Sequence, residues 1–497
     1  MFDSLVSAAA YLTEGVNIWY LALGAVVGLL FGSIPGLGGA TAIALLLPLT
    51  FTMEPDQAII LMGGIMGAVA LGGSVTAILI NTPGTAPNAA TCFDGYPLTQ
   101  RGKAGLAIGA AATASSVGGI IGLGILVLVL PGAKAVVLWF GPPAFFMLAV
   151  LGLTSLTVAS SNLLRGLIAA CVGLFMGFVG YDDIGGTERY TGGIEHLWDG
   201  LSIVPVLIGL FAIAEMMNLF TRGGPIAKRS ARSAVRVVGT KDGVMSVFSN
   251  PGALLSGSVI GSVIGVVPGV GGTVASFLSY SFVSQTSKDN ESFGSGDIRG
   301  VIAPEAANNA KDGGSLIPTL AFGIPGSAEM ALFLGVLILH GIDPGPMLLI
   351  ERESTVILLI LTLLIATLLG GGLILIAAPY LARIAHVDSS ILVPCVITVS
   401  FIGAYALHNS LGDVIVAAFF GLLGYVMIRT DYPRITLVIG FVLSGLMESN
   451  FILSMMMFRG DWIRFLSDGT TLILFSLCVL ALLIPAVQYL GKKTQNV

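Results

Sequence analysis

Long apolar stretches without charges dominate the chain and predict membrane-spanning helices. The segment from Val356 to Ile376, for example, contains no Asp, Glu, Lys or Arg. A helix needs about 20 mainly apolar residues to cross a bilayer, whereas the strands of a membrane barrel alternate polar and apolar residues over about 10. The pattern therefore predicts an all-α polytopic membrane protein.

Two of the apolar segments are interrupted at matching places, 233 residues apart. Each carries a glycine at every fourth position and then the sequence Pro-Gly-x-Gly-Gly, over Gly24–Gly39 in the first copy and Gly257–Gly272 in the second. Proline and clustered glycines do not continue a regular helix. A second break follows each copy, at Asn81–Thr85 and at Gly323–Ser327. This order of features predicts a two-fold internal repeat with broken or re-entrant helices.

Composition agrees with a membrane location, and a cluster of basic residues near the middle of the chain separates two repeats. Hydrophobic residues make up 55% of the 497 residues and charged residues 10%, against about 25% charged in soluble domains. Mean hydropathy is +0.96. We expect a first membrane repeat over residues 1–220, a basic linker over 221–250, and a second repeat with a C-terminal helix over 251–497.

Basic residues predict the orientation of the two repeats. The first Lys or Arg of the chain is Arg101, whereas six basic residues cluster between positions 222 and 241. The positive-inside rule places this cluster in the cytoplasm and the N-terminal segment, which has no Lys or Arg, outside. The first repeat then crosses the membrane an odd number of times, so the second runs the opposite way. Inverted repeats of this kind are typical of secondary transporters.

The two Pro-Gly breaks are the first candidate binding elements. The preceding glycine ladders are explained by close helix packing alone. A break inside the membrane, however, exposes backbone N–H and C=O groups, which are tolerated only against protein or a wet cavity. We therefore predict a substrate-binding role for the glycines of both breaks: Gly36, Gly38, Gly39, Gly269, Gly271 and Gly272.

The second pair of breaks offers polar side chains beside new helix ends. A helix that starts after a break presents free N–H groups and a positive dipole end, which suit a carboxylate. Helix capping explains the same residues equally well, and the two roles are compatible. The predicted substrate-binding residues in these breaks are Asn81, Thr82, Thr85 and Ser327.

A polar segment inside the second repeat predicts a cation site. Glu305 is followed by Asn308 and Asn309, three and four residues later, so a helix places them on one face. Their oxygens suit a hard cation such as Na⁺, and a cap or an interhelical hydrogen bond is the alternative. Asn308 and Asn309 are the predicted cation ligands. Glu215 and Glu448 fit anchors at helix ends, and Lys311-Asp312 fits a local ion pair.

Other function classes find little support in the sequence. The four cysteines and four histidines are scattered without metal-ligand spacing. The Gly-Leu-Gly-Gly sequence follows no strand and precedes no lysine, unlike a nucleotide-binding loop. We expect no catalytic residues, no metal site, no nucleic-acid partner, and no cofactor besides Na⁺ or H⁺ as a coupling ion.

An ordered set of motifs resembles the large membrane subunit (TctA) of tripartite tricarboxylate transporters. The first Pro-Gly break is followed by Asn81–Gly84, Asp94–Leu98 and Gly102–Ala104, and the second by Pro304–Ala310, Gly323–Ser327 and His340–Pro346. The resemblance covers nearly the whole chain, from about Gly24 to Trp462. It departs from the family after Glu448, where basic residues are replaced by Ser449-Asn450 and apolar residues.

The resemblance implies a multi-pass carrier of the bacterial inner membrane. It would import tri- or dicarboxylates on a Na⁺ or H⁺ gradient, with a small membrane subunit (TctB-like) and a periplasmic solute-binding protein (TctC-like). An elevator-type movement of the domain holding the broken helices is a further implication. No predicted binding motif contains arginine, so we expect backbone N–H groups and bound cations to hold the anion. An anion channel is the alternative.

Overall fold

The computed structural model describes residues 2–137, 139–160, 162–182, 184–222, 237–384 and 389–495. The first half is helical apart from one two-stranded antiparallel hairpin, β1 (Gly180–Tyr181) with β2 (Glu188–Arg189). Its helices are α1 (Phe2–Thr13), α2 (Asn17–Ser33), α3 (Gly38–Thr50), α4 (Pro55–Ile80), α5 (Ala89–Gln100), α6 (Ala104–Val137), α7 (Pro142–Ala159), α8 (Leu163–Gly177), α9 (Ile203–Leu207) and α10 (Ala214–Arg222). A π-helical segment, Ile208–Ile213, joins α9 to α10.

The second half contains twelve further helices within the described residues. They are α11 (Thr240–Ser249), α12 (Pro251–Val266), α13 (Gly271–Thr286), α14 (Arg299–Phe322), α15 (Ala328–Leu339), α16 (Pro346–Glu351), α17 (Glu353–Ile384), α18 (Ser389–His408), α19 (Leu411–Arg429), α20 (Arg434–Met457), α21 (Trp462–Ser467) and α22 (Gly469–Gln495). Short 3-10 turns lie at Ala86–Asn88, Glu195–Leu197 and Asn290–Ser292. Most of the predicted basic linker, residues 223–236, lies outside the described residues.

Length and composition make the described chain a polytopic membrane protein. Seven helices are long and apolar enough to span a bilayer, or up to nine if each of two bent pairs forms one span. The two bent pairs occupy matching places, α1 with α2 and α11 with α12, and both bend by 79°. The predicted all-α membrane architecture is therefore confirmed.

Both Pro-Gly breaks interrupt helices as the sequence predicted. In the first half α2 ends at Ser33 and α3 begins at Gly38, and in the second α12 ends at Val266 and α13 begins at Gly271. The glycine ladder of α2 lies directly on α4: added β-carbons would come within 2.0 to 2.5 Å of α4 carbonyl oxygens, in the pairs Gly24–Leu61, Gly28–Ile65 and Gly32–Val69.

This register makes α2–α3 a re-entrant hairpin. Both members of the contacting pairs advance by four residues, so α2 and α4 run in the same direction. Only four residues, 51–54, join α3 to α4. Helix α3 must therefore return to the side where α2 began, leaving the break at the hairpin tip. The second half repeats this packing with α12 on α14, at 2.3 to 2.4 Å in the pairs Gly257–Ala303, Gly261–Ala307 and Gly265–Lys311.

The halves interlock through their longest helices. Helix α6 of the first half lies parallel to α14 of the second, with contacts Gly118–Ala306 and Gly122–Ala310. Helix α17 lies parallel to α4, with contacts Gly63–Thr362 and Gly67–Ala366. Helices α6 and α17 are antiparallel, since Gly371 meets Ser116 and Gly119 meets Thr367. Thus α2, α4 and α17 run one way, and α12, α14 and α6 run the other.

The close packing of α2 on α4 gives a testable prediction. We expect Gly32→Ala to destabilise the folded protein by about 1–3 kcal/mol, because the new β-carbon would lie 2.0 Å from the Val69 carbonyl oxygen. Gly124→Ala is the matched control, since no atom lies within 4 Å of the added carbon on α6. Thermal unfolding of the purified variants measures both effects, and equal melting temperatures would contradict the packing argument.

A central cavity between the broken helices

The tips of both hairpins and both second breaks surround one cavity of about 430 Å³. The first half contributes residues 36–40 and 83–87, and the second half contributes residues 269–273 and 327–329. Helix α14 adds a polar wall, and α10 and α20 close another side with Glu215 and Arg434. Four breaks that are far apart in the sequence therefore meet at a single place.

Most of the predicted site residues line this cavity. They are Gly36, Gly38, Gly39, Gly269, Gly271, Gly272, Thr85, Ser327 and Asn308. Three predicted residues are not in its lining: Asn81, Thr82 and Asn309. Asn81 caps the end of α4 with φ of 55°, and the Thr82 hydroxyl donates to the Ile80 carbonyl oxygen over 3.2 Å. Asn309 is buried at 2% exposure, elsewhere in the helix packing.

Backbone conformation explains why glycine occupies the hairpin tips. Gly36 and Gly38 have φ of 90° and 61°, and Gly269 and Gly271 have φ of 77° and 66°. Residues other than glycine rarely adopt these left-handed φ values. The Gly269 N–H donates to the Gly326 carbonyl oxygen over 3.1 Å, which ties the tip of the second hairpin to the second break of the same half.

The second breaks combine capping with exposure to the cavity. Ser327 is the N-cap of α15, and its hydroxyl accepts a hydrogen bond from the Met330 N–H over 3.3 Å. Thr85 precedes the 3-10 turn at Ala86, and its hydroxyl donates to Asn88 Oδ1 over 2.5 Å. The capping role is therefore present for Ser327, and binding remains compatible with it.

Two charged residues on one wall were not predicted for this site. Arg434, at the start of α20, donates to Glu215 Oε2 over 3.0 Å and to the Leu210 carbonyl oxygen over 2.9 Å. Its guanidinium also lies 5.5 Å from the ring centre of Phe211. Glu215 faces the cavity and is 9% exposed, so it is not the peripheral helix-end anchor predicted from the sequence. The expectation that no guanidinium binds the anion stays a prediction, because Arg434 is already engaged by Glu215.

The cavity lining carries three further charges. Lys311 and Asp312 form the predicted ion pair, Nζ to Oδ1 at 2.5 Å, and each is 7% exposed. Glu329 lies beside the first hairpin tip, where a β-carbon on Gly39 would be 2.9 Å from its Cγ. The lining thus holds three carboxylates and two cationic groups, which leaves one formal negative charge if all are ionised.

Glu305 belongs to a separate buried network next to the cavity. It is 0% exposed and accepts hydrogen bonds from four side chains of the first half: Ser74 at 2.6 Å, Thr91 at 2.5 Å, Ser115 at 2.8 Å and Asn88 at 3.2 Å. The predicted alternative of an interhelical hydrogen bond therefore applies to Glu305. Because Asn88 also accepts from Thr85, the network fixes the second break of the first half against α14.

Glu448, the point of departure from the family pattern, has a partner within the chain. It pairs with Arg189 of the β1–β2 hairpin through both guanidinium nitrogens Nη1 and Nη2. Among the described residues no three His, Cys, Asp or Glu side chains are grouped as metal ligands would be.

The architecture defines the class of this protein. Several apolar spans, helices broken inside the bundle and a charged cavity at the breaks together characterise membrane transporters. The chain matches the tripartite tricarboxylate transporter TctA family over residues 18–439, and it belongs to that family. The resemblance carried by the ordered motifs is thereby confirmed, and the protein is a multi-pass large subunit of a tripartite transporter.

Two relatives come from Agrobacterium vitis. An uncharacterized 52.8 kDa protein in the TAR-I ttuC′ 3′ region is 35% identical over 484 residues, which is 95% of this chain and 94% of the relative. An uncharacterized protein in the TAR-II ttuC′ 3′ region is 36% identical over 231 residues, 46% of this chain and 96% of the relative. No solved structure matches the chain.

Proposed function

We propose that this subunit imports organic di- or tricarboxylates across the bacterial inner membrane, driven by a Na⁺ or H⁺ gradient. It would act with a TctB-like small membrane subunit and a TctC-like periplasmic protein that delivers the substrate. The single observation that carries the proposal is the cavity, in which Lys311 and Arg434 lie among the broken helices. The Lys311 ammonium and the free N–H groups of helix ends suit an anionic substrate, whereas Arg434 is held by Glu215.

The charge of the cavity favours cation coupling. The lining already has one formal negative charge, and a carboxylate substrate adds two or three more. Charges of one sign that are removed from water are costly unless they are paired. Cations or protons that enter with the substrate offset this repulsion. A gradient-driven carrier therefore explains the site better than a pathway for the anion alone.

We also propose that the two halves form an inverted repeat. The supporting observation is the opposite direction of the two sets of helices: α2 and α4 in one half, α12 and α14 in the other. Such repeats commonly place the site near the bilayer midplane and alternate its access. The elevator-type movement of the helices that bear the breaks is the form of alternating access we propose.

Uptake into proteoliposomes tests the proposed function. The vesicles contain this chain and its small-subunit partner, with the cognate binding protein outside and labelled di- and tricarboxylates as a panel. We expect accumulation above equilibrium that needs an inward Na⁺ or H⁺ gradient and the binding protein. Vesicles without the large subunit are the control.

The same assay separates a carrier from an anion channel. Counterflow of unlabelled substrate should speed exchange of the label in a carrier and should saturate. Flux that merely equilibrates, without saturation and without dependence on any gradient, would establish the channel and overturn the proposal.

A further inference from the structure

A group of oxygens without partners lies beside the second break of the second half. We propose that a Na⁺ ion binds there, between the Ser315 hydroxyl, the Gly265 carbonyl and the Asp312 carboxylate. This inference rests on the proposed cation-coupled carrier and names its ion and ligands. It also differs from the cation site at Asn308 and Asn309 that the sequence predicted.

Ser315 is the first element of this site. Its side chain on α14 is 0% exposed, and its Oγ has no hydrogen-bond partner among the described residues. Serine hydroxyls in helices usually donate to the carbonyl four residues earlier, and Thr319, one turn later, does so to Ser315 over 2.6 Å. A buried hydroxyl without a partner is costly, so it indicates an unseen ligand.

The Gly265 carbonyl is the second element, and Pro268 explains why it is available. At the end of α12 the donors for this oxygen would be the N–H groups three and four residues later. Pro268 has no N–H, and the Gly269 N–H donates to the Gly326 carbonyl instead. The last carbonyls of a helix also carry the negative end of its dipole. This oxygen therefore suits a cation.

These two oxygens converge beside Gly326. The position of a β-carbon on Gly326 would lie 2.9 Å from Ser315 Cβ, 3.0 Å from Ser315 Oγ and 3.1 Å from the Gly265 oxygen. Only glycine fits there, because a side chain would press against both oxygens. Hard cations prefer such neutral and anionic oxygens, and carriers use exposed carbonyls at helix breaks to bind Na⁺.

Asp312 supplies the negative charge. It lies three residues before Ser315 on α14, on the same helix face. The Lys311 ammonium donates a hydrogen bond to Asp312 Oδ1, whereas Asp312 Oδ2 accepts no hydrogen bond from the described residues. One carboxylate with two neutral oxygens is a ligand set for a monovalent hard cation. A proton would need the carboxylate alone and would leave Ser315 and Gly265 unsatisfied.

The corresponding place in the first half is closed. A β-carbon on Gly84, the counterpart of Gly326, would lie 1.8 Å from the Gly32 carbonyl oxygen and 2.6 Å from Gly73 Cα. Gly73 takes the place of Ser315, and its carbonyl accepts from the Gly84 N–H over 3.4 Å. The backbones are in direct contact there, with neither a hydroxyl nor space for an ion. The proposed ion is thus specific to the second half.

Thermal unfolding of the purified full-length protein tests the site without any substrate. NaCl is titrated against choline chloride at constant ionic strength, because a ligand that binds only the folded state raises its melting temperature. We expect saturable stabilisation by Na⁺ and a half-saturating concentration at least about tenfold higher in Ser315→Ala, since one of three ligands is lost. Ser315→Cys, with a sulfur in place of the oxygen, should show the same shift if the alanine variant does not fold.

Ser258→Ala is the matched control. Ser258 is an equally buried serine on α12, but its hydroxyl donates to the Leu254 carbonyl over 2.8 Å, so the Na⁺ titration should be unchanged. Absence of Na⁺-specific stabilisation, or an unchanged titration in both Ser315 variants, would overturn the site. Gradient-driven uptake that needs only H⁺ would contradict the proposed Na⁺ site but would leave the proposed carrier function unaffected. Na⁺ binding through Ser315 without any uptake would contradict the proposed function instead.

Discussion

Carboxylate uptake should fall by at least about a hundredfold when Lys311 is replaced by glutamine. The substitution removes one of the two cations of the cavity and leaves the buried Asp312 and Glu329 without it. The unpaired carboxylates then repel an anionic substrate, and a loss of about 2.7 kcal/mol in substrate binding is already a hundredfold. Initial uptake rates in proteoliposomes measure the effect.

Two controls separate the charge of the cavity from the stability of the fold. Lys288→Gln makes the same chemical change at an exposed loop position, and its uptake should equal that of the unmodified protein. Lys311→Gln combined with Asp312→Asn removes both partners of the ion pair, so it should restore the melting temperature but not the uptake. Normal uptake in the single variant would show that Lys311 does not contribute to anion binding.

The sequence predicted the breaks because their causes are local. A proline without an N–H and glycines with positive φ stop a helix whatever surrounds it, and Gly36, Gly38, Gly269 and Gly271 lie where such a stop requires them. The repeat of the motif also predicted that the two breaks would correspond. Nine of the twelve predicted site residues line the cavity, and all of them except Asn308, in the middle of α14, belong to the breaks.

The charged wall could not be predicted in the same way. Glu215 and Arg434 are 219 residues apart, and only the packing of α10 and α20 around the cavity brings them together. In the sequence each is a single charge at the edge of an apolar run, which a helix end explains equally well. Glu329 follows the second break directly, and its position one residue inside α15 was the available signal.

The misplaced residues show a limit of reasoning from spacing. Asn308 and Asn309 are adjacent, so their side chains point about 100° apart on a helix, and only Asn308 reaches the cavity. Asn81 and Thr82 belong to the end of α4, before the chain turns back, whereas Thr85 lies after that turn. Direction on a helix, and not distance along the chain, decides which polar residue faces the site.

Sequence repetition also conceals a functional asymmetry. The backbones of the two halves pack alike, yet Lys311, Asp312 and Glu329 all come from the second half. The first half offers Thr85, Glu215 and backbone groups to the cavity, and the tip of its own hairpin is packed closely through glycines. One half thus supplies these three ionisable groups and the other supplies a close-packed tip. Glu305, also from the second half, links the two halves through its hydrogen bonds with four side chains of the first half.

Replacing Glu305 with alanine should therefore prevent stable folding of the subunit. The change leaves the Thr91 hydroxyl without an acceptor and removes one acceptor each from Ser74, Ser115 and Asn88 in a fully buried place. A buried donor without a partner costs about 1–3 kcal/mol and a large buried side chain cut back to alanine about 2–5 kcal/mol, so the total is a large part of the stability of a typical domain, about 5–15 kcal/mol. The amount of folded protein in detergent-extracted membranes, measured by size-exclusion chromatography, is the readout.

Glu305→Gln distinguishes a structural acceptor from a required charge. Its amide oxygen still accepts from two donors, while its NH₂ group turns a former acceptor into a donor, so we expect intermediate amounts of folded protein. Glu291→Ala, in the exposed turn Asn290–Ser292, should leave the amount unchanged. Full recovery of folded protein from Glu305→Ala would show that this carboxylate does not hold the second break of the first half against α14.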